Sequence, residues 1–177
     1  RKIDLIIIHC SASRANRNFT VEDLEACHKA RGLKSIGYHY YITKDGEIYP
    51  CRPEEMIGAH AKHYNAHSIG ICYEGGLDAD GNPADTRTEA QKRSMIELLK
   101  SLCLDYPDAE VIGHRDLPWV RKSCPCFDVK KWLKEINFTF RKKISSVHVF
   151  IPIRKLFSLQ IGIILSYIAQ QFKKHHP

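Results

Sequence analysis

Ile3-Asp4-Leu5-Ile6-Ile7-Ile8-His9 is a short, mostly apolar, β-branched run that ends at a histidine. A run of this kind, without regular polar alternation, is typical of a strand that is buried on both faces. Such strands belong to sheets that carry helices on both sides, as in α/β proteins. The stretch therefore predicts an α/β domain in which His9 lies where a central strand ends.

The segments beyond this strand alternate between helical and extended patterns. Thr20-Val21-Glu22-Asp23 has the hydroxyl N-cap of a helix that runs from about 21 to 31. The Asp-Gly turn within Lys44-Asp45-Gly46, between β-forming residues, predicts a hairpin. Further predicted elements are a strand over 68–74, a loop over 78–85, a helix over 88–106, a strand over 109–113 and a helix capped by Asp128.

This order of elements predicts a single α/β domain with a central mixed β-sheet flanked by helices, over residues 1–137. A C-terminal basic-hydrophobic tail follows over residues 138–177. Its charge-free run, 156–172, has 17 residues and includes Ser and Gln, whereas a comfortable membrane span needs about 20 apolar residues. We expect a helix that packs on protein or contacts a membrane surface, more than one that crosses a membrane.

Charge and cysteine content narrow the class of partner. The 177-residue chain has a formal net charge of +7, which favours anionic partners. Because seven Lys and Arg residues lie within the last 37 positions, the domain is less basic, and no nucleic-acid partner is predicted. Seven cysteines in a chain of this size indicate reduced thiols. No export signal is visible in these residues, so a cytoplasmic protein is expected. We also expect a monomer.

Three residues could form a metal site. His9 and His114 each follow an apolar strand, and Cys124 lies ten residues beyond His114. Two imidazoles and one thiolate, with a fourth position open to water, form a known catalytic zinc arrangement. The spacing alone leaves this open, because the two histidines are 105 positions apart and histidines at strand ends are often structural.

Six ordered blocks over residues 2–137 carry a specific family resemblance. They are Ile8-His9-Cys10-Ser11-Ala12, Gly37-Tyr38-His39-Tyr40, Gly58-Ala59-His60-Ala61, Asn65 with Ser68-Ile69-Gly70-Ile71, Gly113-His114-Arg115-Asp116 and Lys122-Ser123-Cys124-Pro125-Cys126-Phe127-Asp128. Together they resemble the zinc-dependent N-acetylmuramoyl-L-alanine amidases, close to phage amidase-type lysozymes and related to peptidoglycan recognition proteins. The resemblance does not reach the tail.

The resemblance implies a hydrolase that cleaves the amide between N-acetylmuramic acid and L-alanine in peptidoglycan, using a zinc-activated water. It implies Zn²⁺ ligation by His9, His114 and Cys124. A phage or prophage lysin of this kind would stay in the cytoplasm until it is released to the cell wall.

The resemblance also implies catalytic assistance by Tyr38 and Lys122, and substrate binding by His60 and Asn65. An ammonium at Lys122 could stabilise an oxyanion, and the Tyr38 phenol could donate or relay a proton. Cys72 stands where relatives that process muropeptides inside the cell have a glutamate, which favours the phage-lysozyme type of site. Trp119 stands where a loop glycine is more usual.

Several alternatives stay open from the sequence. His60, His63 and His67 could form a rival metal cluster, although the surrounding residues favour a loop with His63 and His67 exposed to solvent. Cys124-Pro125-Cys126 is one residue short of a thioredoxin-like motif, and Cys126 is interpreted as a packed residue. The chain also lacks the signature of the zinc deaminases. A non-catalytic peptidoglycan-binding module or a regulatory module on the same fold are the functional alternatives.

Overall fold

The structure is a computed structural model, which describes residues 1–138. Its strands are β1 (Leu5–Cys10), β2 (Ser13–Arg14), β3 (Tyr40–Ile42), β4 (Ile48–Pro50), β5 (Ser68–Tyr73), β6 (Gly76–Leu77) and β7 (Glu110–Gly113). Its α-helices are α1 (Val21–Ala30), α2 (Glu89–Asp105) and α3 (Val129–Glu135), and 3₁₀ turns cover Asn65–His67 and His114–Asp116. Thr20 and Thr88 form the capping boxes of α1 and α2, and the Asp128 carboxylate accepts the Lys131 N–H at the start of α3.

Five strands form one sheet in the order β4-β3-β5-β1-β7. The hairpin β3–β4 is antiparallel, whereas β3, β5, β1 and β7 run parallel to their neighbours. The predicted mixed sheet is therefore confirmed, with β1 between β5 and β7. The two-residue strands β2 and β6 form a small separate sheet that the sequence did not predict.

Side chains of β1 point alternately to the two faces of the sheet. Ile6, Ile8 and Cys10 belong to the core cluster that also contains Leu99 of α2 and Trp132 of α3. Ile7 belongs to a cluster on the opposite face, where Leu24 of α1 packs in a neighbouring cluster. Helices thus cover both faces, as predicted, and His9 points to the same face as Ile7.

Two side chains, Tyr73 of β5 and Arg87, hold the segment between β7 and α3 in place. Arg87 forms a bidentate pair with Asp85, and its guanidinium lies 3.2 Å from the Phe127 ring centroid. The Tyr73 hydroxyl donates to the Pro125 carbonyl oxygen at 2.7 Å. These contacts position the segment that carries Cys124.

One predicted boundary is wrong. Strand β1 does not end at His9, as predicted, but continues through Cys10, because β5 pairs with it as far as Tyr73. The predictions for the tail, from 139 onward, lie outside the described residues, so the proposed boundary at residue 137 stays a prediction. Within residues 1–138, no helix is long and apolar enough to cross a membrane.

Candidate active site

Three separate segments bring His9, His114 and Cys124 together. His9 lies near the carboxyl end of β1, and His114 follows directly after β7, the strand beside β1. The Arg115 N–H donates to the Cys124 carbonyl oxygen at 2.7 Å, which holds the cysteine segment beside the end of β7. One nitrogen of each histidine and the Cys124 sulfur all lie within 4.8 Å of one another.

These donor atoms fit a zinc ion. Zinc–nitrogen bonds of about 2.0–2.1 Å and zinc–sulfur bonds of about 2.3 Å place tetrahedral ligand atoms roughly 3.3–3.7 Å apart. The Cys124 sulfur lies 3.8 Å from His9 Nδ1. Two nitrogens and one sulfur are also the donor set that leaves a fourth position open for water in catalytic zinc sites. The group can therefore bind a metal ion after small side-chain adjustments.

The surroundings of Cys124 favour its thiolate. Hydrogen bonding by Cys10 lowers the pKa of the Cys124 thiol, against the opposing effect of burial. The Cys10 backbone N–H donates to the Cys124 sulfur at 3.4 Å, and the charge of Lys122 lowers the pKa further. Since only the thiolate is a good zinc ligand, this environment supports metal binding.

His9 presents Nδ1 to the ligand group and directs its other nitrogen to His60. His9 Nε2 lies 3.1 Å from His60 Nδ1, and His60 Nε2 lies 3.4 Å from the Ser68 hydroxyl. The Ser68 hydroxyl donates to the Tyr64 carbonyl oxygen at 2.8 Å. If His9 Nδ1 is to bind a metal, His9 Nε2 must carry the ring proton and donate a hydrogen bond to His60 Nδ1. His60 Nε2 then donates to the Ser68 hydroxyl, so every hydrogen bond in this chain points from His9 toward Tyr64.

The loop that carries His60 is built to hold its ring in this place. The Asn65 side-chain oxygen accepts the backbone N–H groups of His60 and Ala61 at 2.9 and 2.8 Å. A Cβ atom at Gly70 would lie 2.6 Å from the His60 ring, so only glycine in β5 allows this close approach. Burial lowers the pKa of His60 to about 3, which keeps the ring neutral and able to accept from His9.

Tyr38 lies beside the ligand group on the same face of the sheet. Its ring centroid is 5.1 Å from that of His9 and 6.2 Å from that of His60. Burial raises the pKa of the Tyr38 phenol well above its usual range, so the phenol keeps its proton at neutral pH. Burial raises the pKa of the neighbouring Cys72 thiol well above its usual range, and the Tyr38 phenol partly offsets this effect.

Lys122 is exposed to solvent. Burial is the main cause that lowers the pKa of His114, and the positive charge of Lys122 lowers it further. The same charge also lowers the pKa of Cys124. The Lys122 ammonium therefore acts electrostatically on two of the three candidate ligands.

The rival histidine cluster does not assemble. His60 joins the His9 contacts, whereas His63 is exposed and His67 pairs with Asp4. Of the two histidines predicted to face solvent, only His63 does so fully, because the Asp4 pair keeps His67 partly covered. In the part of the chain that the structure describes, His9, His114 and Cys124 are the one group placed to hold a metal.

Sequence reasoning missed the role of Cys10. Its N–H donates to the Cys124 sulfur at 3.4 Å, and its thiol lies 3.7 Å from the Cys126 sulfur. Cys126 is partly buried, in agreement with its interpretation as a packed residue. The available signal was position: Cys10 follows His9 directly, so its N–H has to lie close to the ligand group.

Comparison with known proteins decides the family. The family model described as "N-acetylmuramoyl-L-alanine amidase" matches residues 1–127. The chain belongs to this family. The family match and the endolysin relatives support peptidoglycan amidase activity, in agreement with the prediction from the sequence motifs.

Phage endolysins are among its relatives. The endolysin of Klebsiella phage KP32 is 39% identical over 127 residues, which are 72% of this chain and 83% of that protein. The endolysin of Escherichia phage T7 is 39% identical over 129 residues, 73% of this chain and 84% of that protein. Among solved structures, the amidase LysC from Clostridium intestinale URNW superimposes with a TM-score of 0.64 at 31% identity, covering 77% of this chain and 86% of LysC.

Proposed function

We propose that this amidase is zinc-dependent and hydrolyses the amide between the lactyl group of N-acetylmuramic acid and the L-alanine of the stem peptide. The observation that carries the proposal is the group formed by His9, His114 and Cys124, whose ligand atoms lie within 4.8 Å of one another. A bound zinc ion would supply a water of lowered pKa and a Lewis acid for the scissile carbonyl.

The other site residues would act on the substrate. The Lys122 ammonium lowers the pKa of two ligand residues, His114 and Cys124. It would also stabilise the negative charge that develops on the carbonyl oxygen. The protonated Tyr38 phenol would donate a hydrogen bond or pass a proton to the leaving amine. His60 would orient His9 and contact substrate, and Asn65, whose side chain holds the His60 loop in place, would also contact substrate.

The endolysin relatives favour an enzyme that works on the cell wall after release from the cytoplasm. Peptidoglycan is the partner to which this family points, and we propose that the domain acts as a monomer. Contact of residues 138–177 with a membrane surface remains a prediction from composition. Flotation of that segment with anionic vesicles tests it, and no binding would contradict it.

A non-catalytic peptidoglycan-binding module on the same fold is the alternative. Loss of a metal ligand would favour that reading, but all three candidate ligands are present and share one site. A regulatory role with a protein partner could coexist with catalysis, and a pull-down would detect it.

The direct test treats purified peptidoglycan with the metal-loaded protein and measures free stem peptides. Metal content is measured beside it in the natural protein, Cys124→Ser and Cys126→Ser. We expect about one zinc per chain, lost in Cys124→Ser and kept in Cys126→Ser, because only Cys124 belongs to the ligand group. Cleavage only between sugars or between stem amino acids, or no cleavage with zinc bound, would refute the proposed function.

A further inference from the structure

Trp119 combines two features that packing does not explain. Its side chain is 95% exposed, more than any other large hydrophobic side chain in residues 1–138. Its backbone φ is +72°, a region that glycine adopts freely and a bulky residue adopts only with strain. An exposed indole gains no burial in return for this strain, so the residue points to a contact with something outside the chain.

The backbone presents the indole in a defined way. The Val120 N–H donates to the Leu117 carbonyl oxygen at 3.3 Å, which closes a four-residue turn over Leu117-Pro118-Trp119-Val120. Proline at the second position and positive φ at the third are features of a type II turn, whose third position usually holds glycine. The preceding turn is closed by the Leu117 N–H donating to the His114 carbonyl oxygen at 3.2 Å. Two short turns therefore tie the indole to His114.

Trp119 lines a groove that reaches the ligand group. Its lining comes from two segments: the one after His60, with polar and aromatic side chains, and the one that begins at His114 and continues through the apolar turn. The lining residues are Ala61, Lys62, His63, Tyr64, His114, Leu117, Pro118, Trp119 and Val120. No carboxylate lies among them.

The chemistry of the substrate identifies the occupant, and this step rests on the proposed function. The amide to be cleaved is attached through a lactyl group to a muramic acid ring, so sugar rings must lie beside the ligand group when the carbonyl is in place. A pyranose ring exposes C–H groups on its faces and hydroxyls at its edges. A groove lined by a flat indole and by the polar side chains of Lys62 and His63 matches both parts.

We propose that Trp119 is a glycan-contact residue, whose indole stacks on a sugar ring of the peptidoglycan strand next to the cleaved amide. Its role is to determine which substrates are held well, because glycan that extends along the groove gains a contact that a shorter fragment lacks. A single ring on a groove with a polar wall suits a sugar better than a lipid surface, which would require a broader apolar patch.

The test compares Trp119→Gly with the natural protein, both loaded with zinc. Glycine suits the turn, so the variant keeps the backbone and loses only the indole. We expect kcat/KM for a disaccharide-tripeptide fragment of peptidoglycan to fall roughly 2- to 10-fold, mainly through KM, as loss of one aromatic contact predicts. For the corresponding monosaccharide-tripeptide, the fall should be smaller. Leu104→Ala removes another exposed apolar side chain, on α2, and should leave both values unchanged.

A binding measurement gives an independent readout. The chain has two tryptophans, and Trp132 is buried against Phe127, so the emission of Trp119 dominates the response to ligand. Titrating Cys124→Ser with the disaccharide-tripeptide should change the emission, and the additional change Trp119→Phe should remove that response.

Equal kcat/KM for Trp119→Gly and the natural protein on both fragments would overturn the glycan assignment. Binding to lipid vesicles that requires Trp119, together with hydrolysis that does not require it, would also overturn the assignment. Absence of hydrolysis by the natural protein would instead refute the proposed function.

Discussion

Replacing His60 tests the chain of contacts behind the ligand group. His60→Phe keeps a ring of similar shape in the space above Gly70 and removes the nitrogen that lies 3.1 Å from His9 Nε2. In the metal-free protein, His9 can respond by moving its proton to Nδ1. When a metal occupies Nδ1, the Nε2 proton has to stay, and it then lacks its acceptor in a site where His9 is only 1% exposed.

The cost of this lost acceptor appears in metal affinity. An unsatisfied buried donor costs about 1–3 kcal/mol, and loss of an outer partner of a metal-binding histidine weakens affinity about 10- to 100-fold. The two estimates agree, since a factor of ten corresponds to about 1.4 kcal/mol. We therefore expect His60→Phe to raise the zinc Kd about 10- to 100-fold.

Competition with a chromogenic zinc chelator measures this Kd directly. His63→Phe is the matched control, because His63 belongs to the same loop but is exposed, and its Kd should stay at the natural value. An unchanged Kd for His60→Phe would refute the role of His60 in orienting His9. If KM rose at the same time, substrate contact would be its main role.

Two further predictions concern charge and protonation. Lys122→Met should lower kcat about 10²- to 10³-fold with unchanged zinc content, because it removes an oxyanion-stabilising group. The control Arg121→Met should change kcat little. Equal effects of the two changes in a hydrolysis assay would contradict a specific role for Lys122. Burial lowers the pKa of His39 to about 4, against about 6.5 in an unfolded chain. Between these two pKa values, the unfolded chain therefore binds one more proton than the folded protein. As the pH falls below about 6.5, His39 should lower the free energy of unfolding of the metal-free protein by about 1.4 kcal/mol per pH unit. In urea unfolding at pH 7 and pH 5, the free energy of unfolding of His39→Gln should depend less on pH than that of the natural protein. An identical pH dependence would contradict the lowered pKa of His39.

Local pattern predicted most of the elements because their signals lie within a few residues of each other. The capping boxes at Thr20 and Thr88, the Asp-Gly hairpin and the buried run before His9 each depend on neighbouring side chains and backbone groups. The position of the ligand residues at strand ends or in a nearby loop was also visible. Their assignment as one site came from family motifs rather than from spacing, since 105 positions separate the two histidines.

Only the tertiary structure placed these residues against one another. Strand β1 lies between β5 and β7, and this order brings His9 beside His114 and places Gly70 of β5 where the His60 ring fits. The contacts from His9 to His60 and Ser68, the Cys10 N–H on Cys124, and the turn that exposes Trp119 depend on sheet register, side-chain rotamers and backbone φ. Sequence determined which chemical groups this protein has and the elements that carry them. Their distances were decided by packing between segments far apart in the chain, because no local interaction reaches across that separation.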